Sequence, residues 1–293
     1  MRRYSFIKLD VFTRRPLQGN QLAVLTDARG LTSAQMQAVA REMRLSETTF
    51  ILPRDRAIEK KRGIKVRIFT TDEELPFAGH PTLGTAFALR GRGAKKNEVV
   101  LDLTVGSIPV SFSKRNGAVF GEMRQRDPEF GVTHSPEAVA RALALPVSAL
   151  DSRFPVQTVS TGVPFTIVPL ASLETLRTIA FDFRRANEYM ENSDAKFFYL
   201  VCRQTEDRST TLRARMIFYS GEDPATGSAA GCAGAWMVAH GILAPEKQGL
   251  IEQGVEMQRP SLIYVRAAKT GDRIHDVRVG GHVVEIMRGT VTL

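Results

Sequence analysis

Two similar patterns of hydrophobic and polar residues, 148 positions apart, organise this chain of 293 residues. The first covers residues 67–89 and the second covers residues 215–237. Each runs from an apolar strand through an acidic turn into a helix that begins beside a glycine. Both helices are nearly free of charge, and a helix without a polar face is normally enclosed by other elements. The repeat predicts two halves, each a sheet wrapped around one buried helix.

The residues around the first copy alternate between apolar runs and turn signals. Thr32 and Gln35 have the spacing of a capping box at the start of a helical apolar period, which predicts a helix over residues 33–44. The charged residues 55–62 are expected to form only a connection. Apolar and β-branched content predicts strands at residues 4–13, 21–26, 46–52 and 65–70.

The ends of the two central helices are marked by capping and helix-breaking residues. His80-Pro81 places the start of the first helix, because proline suits the first helical position. Ser228 is expected to cap the N-terminus of the second helix. Gly91 and Gly241 are expected to end the two helices.

A crossover between the halves is predicted at Asp127-Pro128, which lies in a turn-forming stretch. We expect an N-terminal half at residues 1–130 and a C-terminal half at residues 131–293, with the last strand able to pair with the first half. Ligand pockets are common where two similar units meet. The functional site is therefore expected in the cleft between the halves.

Composition narrows the class of protein. With 43% hydrophobic and 24% charged residues, the chain is typical of a globular protein. The start of the chain lacks the apolar stretch of a secretory signal, so a cytoplasmic location is expected. Two uncharged runs, residues 154–173 and 224–245, are interrupted by prolines or dominated by small residues, and no membrane span is predicted.

The net charge of +9 raises the question of nucleic acid binding. The basic residues come in scattered groups such as Arg2-Arg3 and Arg14-Arg15 and form no stripe, so we expect no nucleic-acid partner. The positive charge suits the attraction of a small anionic substrate. The sequence has no glycine motif for nucleotides, no CxxC and no paired histidines at metal-ligand spacing, so neither a cofactor nor a metal is predicted.

Each central helix begins after a turn that contains glycine, Gly79 in the first copy and Gly227 in the second. The free backbone N–H groups and the positive dipole at a helix start form an anion site, suited to a carboxylate-bearing substrate. The alternative is that both glycines only help the helices to begin. His80 would project into such a pocket, where a histidine can donate, accept or transfer a proton.

Two acidic positions are candidates for proton transfer. Glu222 and Asp223 precede Pro224 at the second turn and are interpreted as a pair that the first copy lacks. This asymmetry indicates a role in chemistry, against the alternative that Asp223 only caps the turn. Glu47 enters an otherwise uncharged strand, where it is either solvent-facing or buried. If it is buried, its pKa would rise toward the range useful for moving a proton at carbon.

Five groups of residues, in order along the chain, resemble the phenazine-biosynthesis isomerase (PhzF-like) family. The likeness extends from near residue 4 to the closing hairpin. The residues that carry it are Asp10-Val11-Phe12-Thr13 with Gly19-Asn20-Gln21-Leu22-Ala23-Val24, Leu45-Ser46-Glu47-Thr48-Thr49-Phe50, Phe69-Thr70 with Glu74-Leu75-Pro76-Phe77-Ala78-Gly79-His80-Pro81-Thr82-Leu83-Gly84, Val159-Ser160-Thr161-Gly162 with Pro164-Phe165, and Glu222-Asp223-Pro224-Ala225-Thr226-Gly227-Ser228-Ala229.

The resemblance implies the diaminopimelate-epimerase-like fold. This is an α+β fold of two pseudo-symmetric halves, each a curled, mostly antiparallel sheet around a central helix, with the active site between them. The resemblance also implies a homodimer. In the racemases and epimerases that share this fold, a cysteine precedes the glycine of each turn, whereas Ala78 and Thr226 hold these positions here. Neither side chain can supply a thiolate, which excludes two-thiol racemisation.

The activity that the resemblance implies is a cofactor-independent isomerisation, like that of trans-2,3-dihydro-3-hydroxyanthranilate. Glu47 would be the general acid/base that removes a proton from a ring carbon and returns it elsewhere on the same face. His80 and Asp223 would orient the substrate and assist the proton transfer. The substrate carboxylate would be bound by Gly79, Gly227 and Ser228.

Two other functions stay open at this point. One is an epimerase-like enzyme acting on an amino or hydroxy acid, with Glu47 and Asp223 on opposite faces of the substrate. The other is a non-catalytic member of the same fold that binds a metabolite or a protein partner.

Overall fold

The computed structural model describes residues 1–91, 97–218 and 221–293. The chain forms two compact units, of which the first contains Met1–Arg124 and Gly280–Leu293 and the second contains Gln125–Val279. The strands are β1 (Arg3–Val11), β2 (Asn20–Leu25), β3 (Glu47–Leu52), β4 (Ile64–Phe69), β5 (Glu74–Leu75), β6 (Glu98–Leu103), β7 (Gly106–Arg115), β8 (Ala118–Arg124), β9 (Glu129–Thr133), β10 (Gln157–Ser160), β11 (Pro164–Leu170), β12 (Phe197–Cys202), β13 (Leu212–Phe218), β14 (Gly221–Asp223), β15 (Gly249–Gln253), β16 (Ser261–Thr270) and β17 (Arg273–Thr292). The helices are α1 (Ser33–Met43), α2 (Arg56–Arg62), α3 (Gly79–Arg90), α4 (Pro136–Ala142), α5 (Leu173–Thr178), α6 (Phe183–Glu191) and α7 (Gly227–Ala239), with a short 3-10 helix at Val147–Ala149.

The first unit is a sheet closed around helix α3. The sheet runs β1-β2-β3-β4-β6-β7-β8, and β17 pairs with both β8 and β1. Only β2 with β3 and β4 with β6 are parallel among the pairings whose direction is known. Helix α3 contacts β1, β2, β3, β6 and β8, and every residue from Gly79 through Ala86 is buried. The central helix is therefore enclosed, because it has no polar face to offer to water.

The second unit repeats this arrangement around helix α7. Its sheet runs β9-β10-β11-β12-β13-β15-β16. Its parallel pairs, β11 with β12 and β13 with β15, correspond to β2 with β3 and β4 with β6 of the first unit. Helix α7 packs on β10, β11 and β16, and it is buried from Gly227 through Val238. The predicted α+β fold, with a curled, mostly antiparallel sheet around one central helix in each half, is confirmed.

The strand register shows the duplication residue by residue. In the first unit Ile68 lies opposite Leu75, and in the second unit Met216 lies opposite Asp223. Both members of the second pair come 148 residues after their counterparts. Residues 219 and 220 of the second copy lie outside the described residues. The repeat seen in the sequence is therefore a repeat of backbone pairing.

Several local predictions can be compared with the structure. The capping box of Thr32 and Gln35 is confirmed at the start of α1, and Gly241 follows α7 in a left-handed conformation. The prediction that residues 55–62 only form a connection is wrong, because Arg56–Arg62 is helix α2. None of the residues of this helix is buried, so its sequence has no apolar periodicity that would predict a helix. Its residues are nevertheless good helix formers.

The predicted N-cap of the second central helix is also wrong by two positions. Helix α7 begins at Gly227, and Thr226 occupies the N-cap position, so Ser228 lies inside the first turn. In the part of the chain that the structure describes, no helix is long and apolar enough to cross a membrane.

Candidate active site

The first unit brings Glu47 and His80 together. Glu47 is the first residue of β3, and His80 is the second residue of α3. The Nε2 atom of His80 lies 3.4 Å from Oε2 of Glu47, and the two side chains are 3% and 14% exposed. A hydrogen bond between the hydroxyls of Thr49 and Thr85, 2.8 Å long, ties β3 to α3 just beyond this contact. The sequence left the burial of Glu47 open, and the structure shows it largely withdrawn from water.

The protonation state of His80 follows from its surroundings. Burial lowers the pKa of His80 to about 3, although a hydrogen bond with the backbone of Gln21 acts in the opposite direction. The imidazole is therefore neutral near pH 7. The side-chain nitrogen of Asn20 lies 3.0 Å from Nδ1 of His80, and an amide nitrogen can only donate. With the Asn20 amide nitrogen in this position, Nδ1 is assigned as the acceptor, which places the ring proton on Nε2, the nitrogen nearer Glu47.

Asn20 reaches His80 because of the turn before it. Gly19 has a φ of +71°, and a Cβ at this position would lie only 2.3 Å from the carbonyl oxygen of Val11. Only glycine fits such a close approach of two backbone segments. The tight turn ends directly at Asn20, the first residue of β2, whose side chain is buried. The sequence contained Asn20 in a motif, but its contact with His80 was not predicted.

The start of α3 offers backbone donors beside His80. Ala78 occupies the N-cap position with an extended backbone, and no side chain caps this helix among the described residues. Pro81 has no N–H, so the donors of this first turn belong to Gly79 and His80. Together with the positive end of the helix dipole, these N–H groups can bind one carboxylate oxygen.

The second unit places Asp223 at the start of α7. Asp223 ends β14, and the hydroxyl of Thr226 donates to its Oδ2 at 2.6 Å. Gly227 and Ser228 form the buried first turn of the helix. The side-chain amide of Gln125 donates to the carbonyl oxygen of Gly227 at 2.9 Å and fixes this turn within the unit. The three predicted residues of this half therefore share one helix start.

The interpretation that Glu222 and Asp223 form an unduplicated pair is wrong for Glu222. The offset of 148 residues pairs Glu222 with Glu74, and each binds the equivalent arginine. The Nε atom of Arg67 donates to Glu74 at 2.7 Å, and that of Arg215 donates to Glu222 at 2.8 Å. Glu222 therefore belongs to a structural ion pair that both units contain.

Asp223 and Glu47 are the acids that do break the symmetry. Asp223 has the register position that Leu75 has in the first unit. Strand β12 pairs with β13 in the same register as β3 pairs with β4. In this register, Phe197 of the second unit is equivalent to Glu47 of the first. Each unit thus carries one acid of its own near the start of its central helix, at two different positions of the repeated fold.

The two positions that hold cysteines in the thiol-dependent enzymes are equivalent here. Ala78 and Thr226 are the N-cap residues of α3 and α7, and both are mostly buried. The nearest cysteine along the chain, Cys232, lies in the interior of α7, and burial raises the pKa of its thiol to about 11. Thiolate chemistry is therefore excluded at these helix starts.

A cavity of about 960 Å³ in the second unit contains none of the predicted site residues. It lies between α4 and α6, with Arg141 and Arg185 among its lining residues. The polar groups at its floor are engaged with one another, because Tyr189 contacts Nδ1 of His134 and Asp194 accepts from Val132. These contacts hold α6 against the sheet, so the cavity is a weaker candidate than the helix starts.

Residues 1–91, 97–218 and 221–293 contain no group of three or more His, Cys, Asp or Glu side chains arranged to hold an ion.

Known proteins resemble this chain over its whole length. The model of the PhzC-PhzF family, described as phenazine biosynthesis-like protein, matches residues 9–289. A trans-2,3-dihydro-3-hydroxyanthranilate isomerase of Pseudomonas chlororaphis is 35% identical over 292 residues, covering 99% of this chain and 100% of that protein. An uncharacterized isomerase of Mesorhizobium japonicum is 37% identical over 301 residues, covering 99% of each chain.

A solved structure agrees with these matches. The crystal structure of a PhzF-family phenazine biosynthesis protein of Bacillus anthracis superposes with a TM-score of 0.88 at 28% identity, covering 100% of both chains.

Proposed function

Since the chain belongs to the phenazine biosynthesis-like PhzC-PhzF family and is an isomerase of that type, we propose that it moves a proton between carbons of a small cyclic or unsaturated carboxylate. The proposed reaction is like the isomerisation of trans-2,3-dihydro-3-hydroxyanthranilate and uses no cofactor. The proposed catalytic residues are Glu47, His80 and Asp223.

The observation that carries this proposal is the carboxylate of Glu47, withdrawn from water beside the neutral imidazole of His80. A carboxylate with few water contacts accepts a proton more readily than a hydrated one. The neutral imidazole lies beside the carboxylate with Nε2 3.4 Å away and adds no positive charge to it. The pair can therefore accept a proton from carbon and hold it until it is returned.

The proposed step conserves every atom of the substrate. Glu47 takes a proton from one carbon, and the electrons of the broken C–H bond move into the neighbouring unsaturation. The acidic proton of Glu47 exchanges with solvent, and the carboxylic acid then delivers a proton to another carbon on the same face. General acid–base assistance of this kind contributes about 10² to 10⁴ in rate. Asp223 assists the transfer from its own helix start.

The substrate carboxylate is proposed to bind at the helix starts. The N–H groups of Gly79 in α3 and of Gly227 and Ser228 in α7 are the proposed donors. Such groups bind anions through hydrogen bonds and the helix dipole together. We also propose that Glu47 and Asp223 act on one substrate molecule, as the resemblance to the family implies.

The proposal is tested by proton NMR in D2O with a panel of cyclic and unsaturated carboxylates, trans-2,3-dihydro-3-hydroxyanthranilate included. Wild type is compared with Glu47→Gln and with Glu98→Gln. Glu98 is a matched control because it also begins a strand of the first unit but is exposed. Deuterium entering a carbon position with wild type and Glu98→Gln, and not with Glu47→Gln, is the expected result. Exchange that persists in Glu47→Gln contradicts the assignment.

The position of the deuterium separates the proposed shift from epimerisation. A proton shift moves the double bond and labels a second carbon of the same molecule. An epimerase labels a single α-carbon and inverts its configuration, which chiral chromatography of the recovered substrate detects. Label at a single α-carbon together with inverted configuration would contradict the proposed proton shift and support the epimerase alternative.

Action on one substrate is tested by a double-mutant cycle. Glu47→Asp, which keeps a carboxylate and a measurable rate, and Asp223→Asn are measured singly and together as rates of deuterium exchange. Residues that act as a unit are not additive, so the double variant is expected to lose little more than the worse single variant. Losses that multiply would mean that the two acids act independently.

The protein is also proposed to be a cytoplasmic homodimer. Light scattering during gel filtration is expected to give twice the chain mass of 32.4 kDa. A mass of one chain would contradict the dimer.

A further inference from the structure

One buried glutamine is bound to the backbone and side chains around Asp223. Gln253 ends strand β15 and is fully buried. Its Nε2 donates to the carbonyl oxygen of Asp223 at 2.6 Å and to the hydroxyl of Thr226 at 3.1 Å. Its Oε1 accepts from the backbone N–H of Thr226 at 3.2 Å and from the hydroxyl of Tyr199 at 3.1 Å. One side chain thus holds both ends of the turn.

The direction of each hydrogen bond in this group is determined. The backbone nitrogen of Thr226 can only donate, so the oxygen of the Gln253 amide must face it and the amide nitrogen must face the hydroxyl. The Thr226 hydroxyl accepts from Gln253, and its own proton is therefore available for Oδ2 of Asp223, 2.6 Å away. The donors run in one direction, from Gln253 through Thr226 to the carboxylate.

The backbone beside Gln253 holds it in place. Gly254 has a φ of +79°, and a Cβ there would lie 2.4 Å from the carbonyl oxygen of Pro224. The end of β15 is thus pressed against the Asp223-Pro224 turn, at a distance that only glycine permits. Gln253 cannot withdraw from the turn without moving this strand end.

A titratable neighbour, Tyr199, lies on strand β12 and contacts Gln253. Burial, and then the negative charge of Asp223, raise the pKa of Tyr199, so its hydroxyl stays protonated. This hydroxyl donates to Gln253 and stabilises the amide in the required orientation. The acid Glu222 next to Asp223 is bound to Arg215. The group around Asp223 therefore contains donors on one side and an ion pair on the other.

We propose that Thr226 and Gln253 are positioning residues that hold the Asp223 carboxylate ionised and fixed in orientation. Thr226 occupies the position at which the thiol-dependent enzymes of this fold have a cysteine. Here its hydroxyl donates a hydrogen bond to the carboxylate of Asp223. This role rests on the proposed function of Asp223. Hydrogen bonds to a carboxylate favour its charged form. Loss of the Thr226 donor is therefore expected to raise the pKa of Asp223 by about one unit.

The test measures Asp223 directly in the substrate-free protein. The side-chain carboxyls of aspartate are labelled with ¹³C, and the Asp223 signal is assigned by its absence in Asp223→Asn. Thr226→Val keeps the shape of the side chain and removes the hydroxyl, whereas Thr226→Ser keeps the hydroxyl. Gln253→Glu keeps acceptors for Thr226 and Tyr199 and removes both amide donations. Thr211→Val is the control, because its hydroxyl accepts from the backbone N–H of Leu250, elsewhere on β15.

The expected result is a higher pKa of Asp223 in Thr226→Val and in Gln253→Glu, with wild-type behaviour in Thr226→Ser and Thr211→Val. The exchange rate at saturating substrate is expected to fall at least about tenfold in Thr226→Val and to recover in Thr226→Ser. An unchanged titration of Asp223 in Thr226→Val and Gln253→Glu overturns the positioning role, whether or not the enzyme is active. A shifted titration without turnover on any substrate supports the positioning role and counts against the proposed function.

Discussion

The Nε2 atom of His80 lies 3.4 Å from Oε2 of Glu47, and its orientation is set from the other side of the ring by Asn20. A protonated His80 would bind Glu47 as an ion pair and make it a poorer base. Burial lowers the pKa of His80 to about 3, which prevents this at neutral pH. The imidazole therefore lies beside Glu47 without neutralising its charge.

This burial makes stability depend on pH in a predictable way. The pKa of His80 is lowered in the folded protein from 6.5 to about 3, so the unfolded chain binds more protons between these values. The free energy of unfolding that His80 contributes is present above pH 6.5 and is lost as the pH falls toward 3. Between pH 7 and pH 5 this loss is about 2 kcal/mol.

The comparison that isolates this effect is wild type against His80→Gln. Urea unfolding at pH 7 and pH 5 is expected to show wild type losing about 2 kcal/mol more than the variant. The other histidines titrate in both proteins, so their contributions to the free energy of unfolding cancel in this comparison. An equal loss in the two proteins would mean that His80 is not held neutral.

The Asn20 contact predicts the tautomer of His80. Nitrogen-15 NMR of the imidazole is expected to show a protonated Nε2 and an unprotonated Nδ1 from pH 5 to pH 8. Asn20→Asp replaces the donor by an acceptor, which moves the ring proton to Nδ1 and away from Glu47. The exchange rate is expected to fall on the order of 10²-fold, as for other displaced tautomers.

A matched control for this variant exists in the same unit. Asn116 lies in an exposed turn with a φ of 48°, a conformation that aspartate also tolerates. Asn116→Asp is expected to leave both the His80 tautomer and the exchange rate unchanged. A wild-type tautomer in Asn20→Asp would show that Asn20 does not orient the ring.

The duplicated ion pairs predict a difference in stability between the two units. Arg215 and Glu222 are 8% and 17% exposed, whereas Arg67 and Glu74 are 22% and 34% exposed. Arg215 also donates to the backbone of Leu176. Breaking a buried pair leaves an uncompensated charge and costs about 3 kcal/mol, against about 1 kcal/mol or less for a more exposed pair.

Glu222→Gln is therefore expected to lower the urea midpoint more than Glu74→Gln. Neither variant is expected to reduce the exchange rate of the folded protein as Asp223→Asn does. A Glu222→Gln variant that is stable but inactive would mean that Glu222 takes part in catalysis together with Asp223.

The sequence could predict the repeated core because its signals are local. Two uncharged helices beside glycines predict two elements that are enclosed by strands. The capping box of Thr32 and Gln35 predicts the start of helix α1. Helix α2 was missed because it has no apolar face. The equivalence of Glu222 with Glu74 follows from the offset of 148 residues, but the arginine that each acid binds depends on the pairing of β4 with β5 and of β13 with β14.

The candidate site was predictable only where its residues share a motif. Glu47, His80 and Asp223 each lie in a recognisable stretch, but their neighbours come from distant parts of the chain. Gln253 contacts Thr226 across 27 residues. Asn20 contacts His80 across 60 residues. No spacing in the sequence encodes such tertiary contacts, which exist only once the strands have paired.

Close packing around helix α3 predicts that replacing Gly84 by alanine destabilises the protein. A Cβ at Gly84 in α3 would lie 2.6 Å from a methyl of Leu22 and 2.9 Å from a methyl of Val11. Overpacking of this kind costs about 1 to 3 kcal/mol, which offsets the helix propensity gained over glycine, about 1 kcal/mol. Gly91, at the end of the same helix, has a helical backbone and its nearest contact would be 3.6 Å.

Gly84→Ala is therefore expected to destabilise the protein in urea, and Gly91→Ala is expected to be neutral or stabilising. Equal effects at the two positions would show that the space around α3 is less restricted than the described packing requires.

The role of Glu47 is tested most directly by the rate of carbon-bound deuterium uptake at saturating substrate in three proteins. Wild type, Glu47→Asp and Glu47→Gln are compared in D2O at pH 7, with substrate binding measured separately. The expected order is full exchange in wild type, a reduced rate in Glu47→Asp, whose carboxylate is one methylene further back, and none in Glu47→Gln although it still binds substrate. Exchange in Glu47→Gln at a rate close to that of wild type would contradict proton transfer by Glu47.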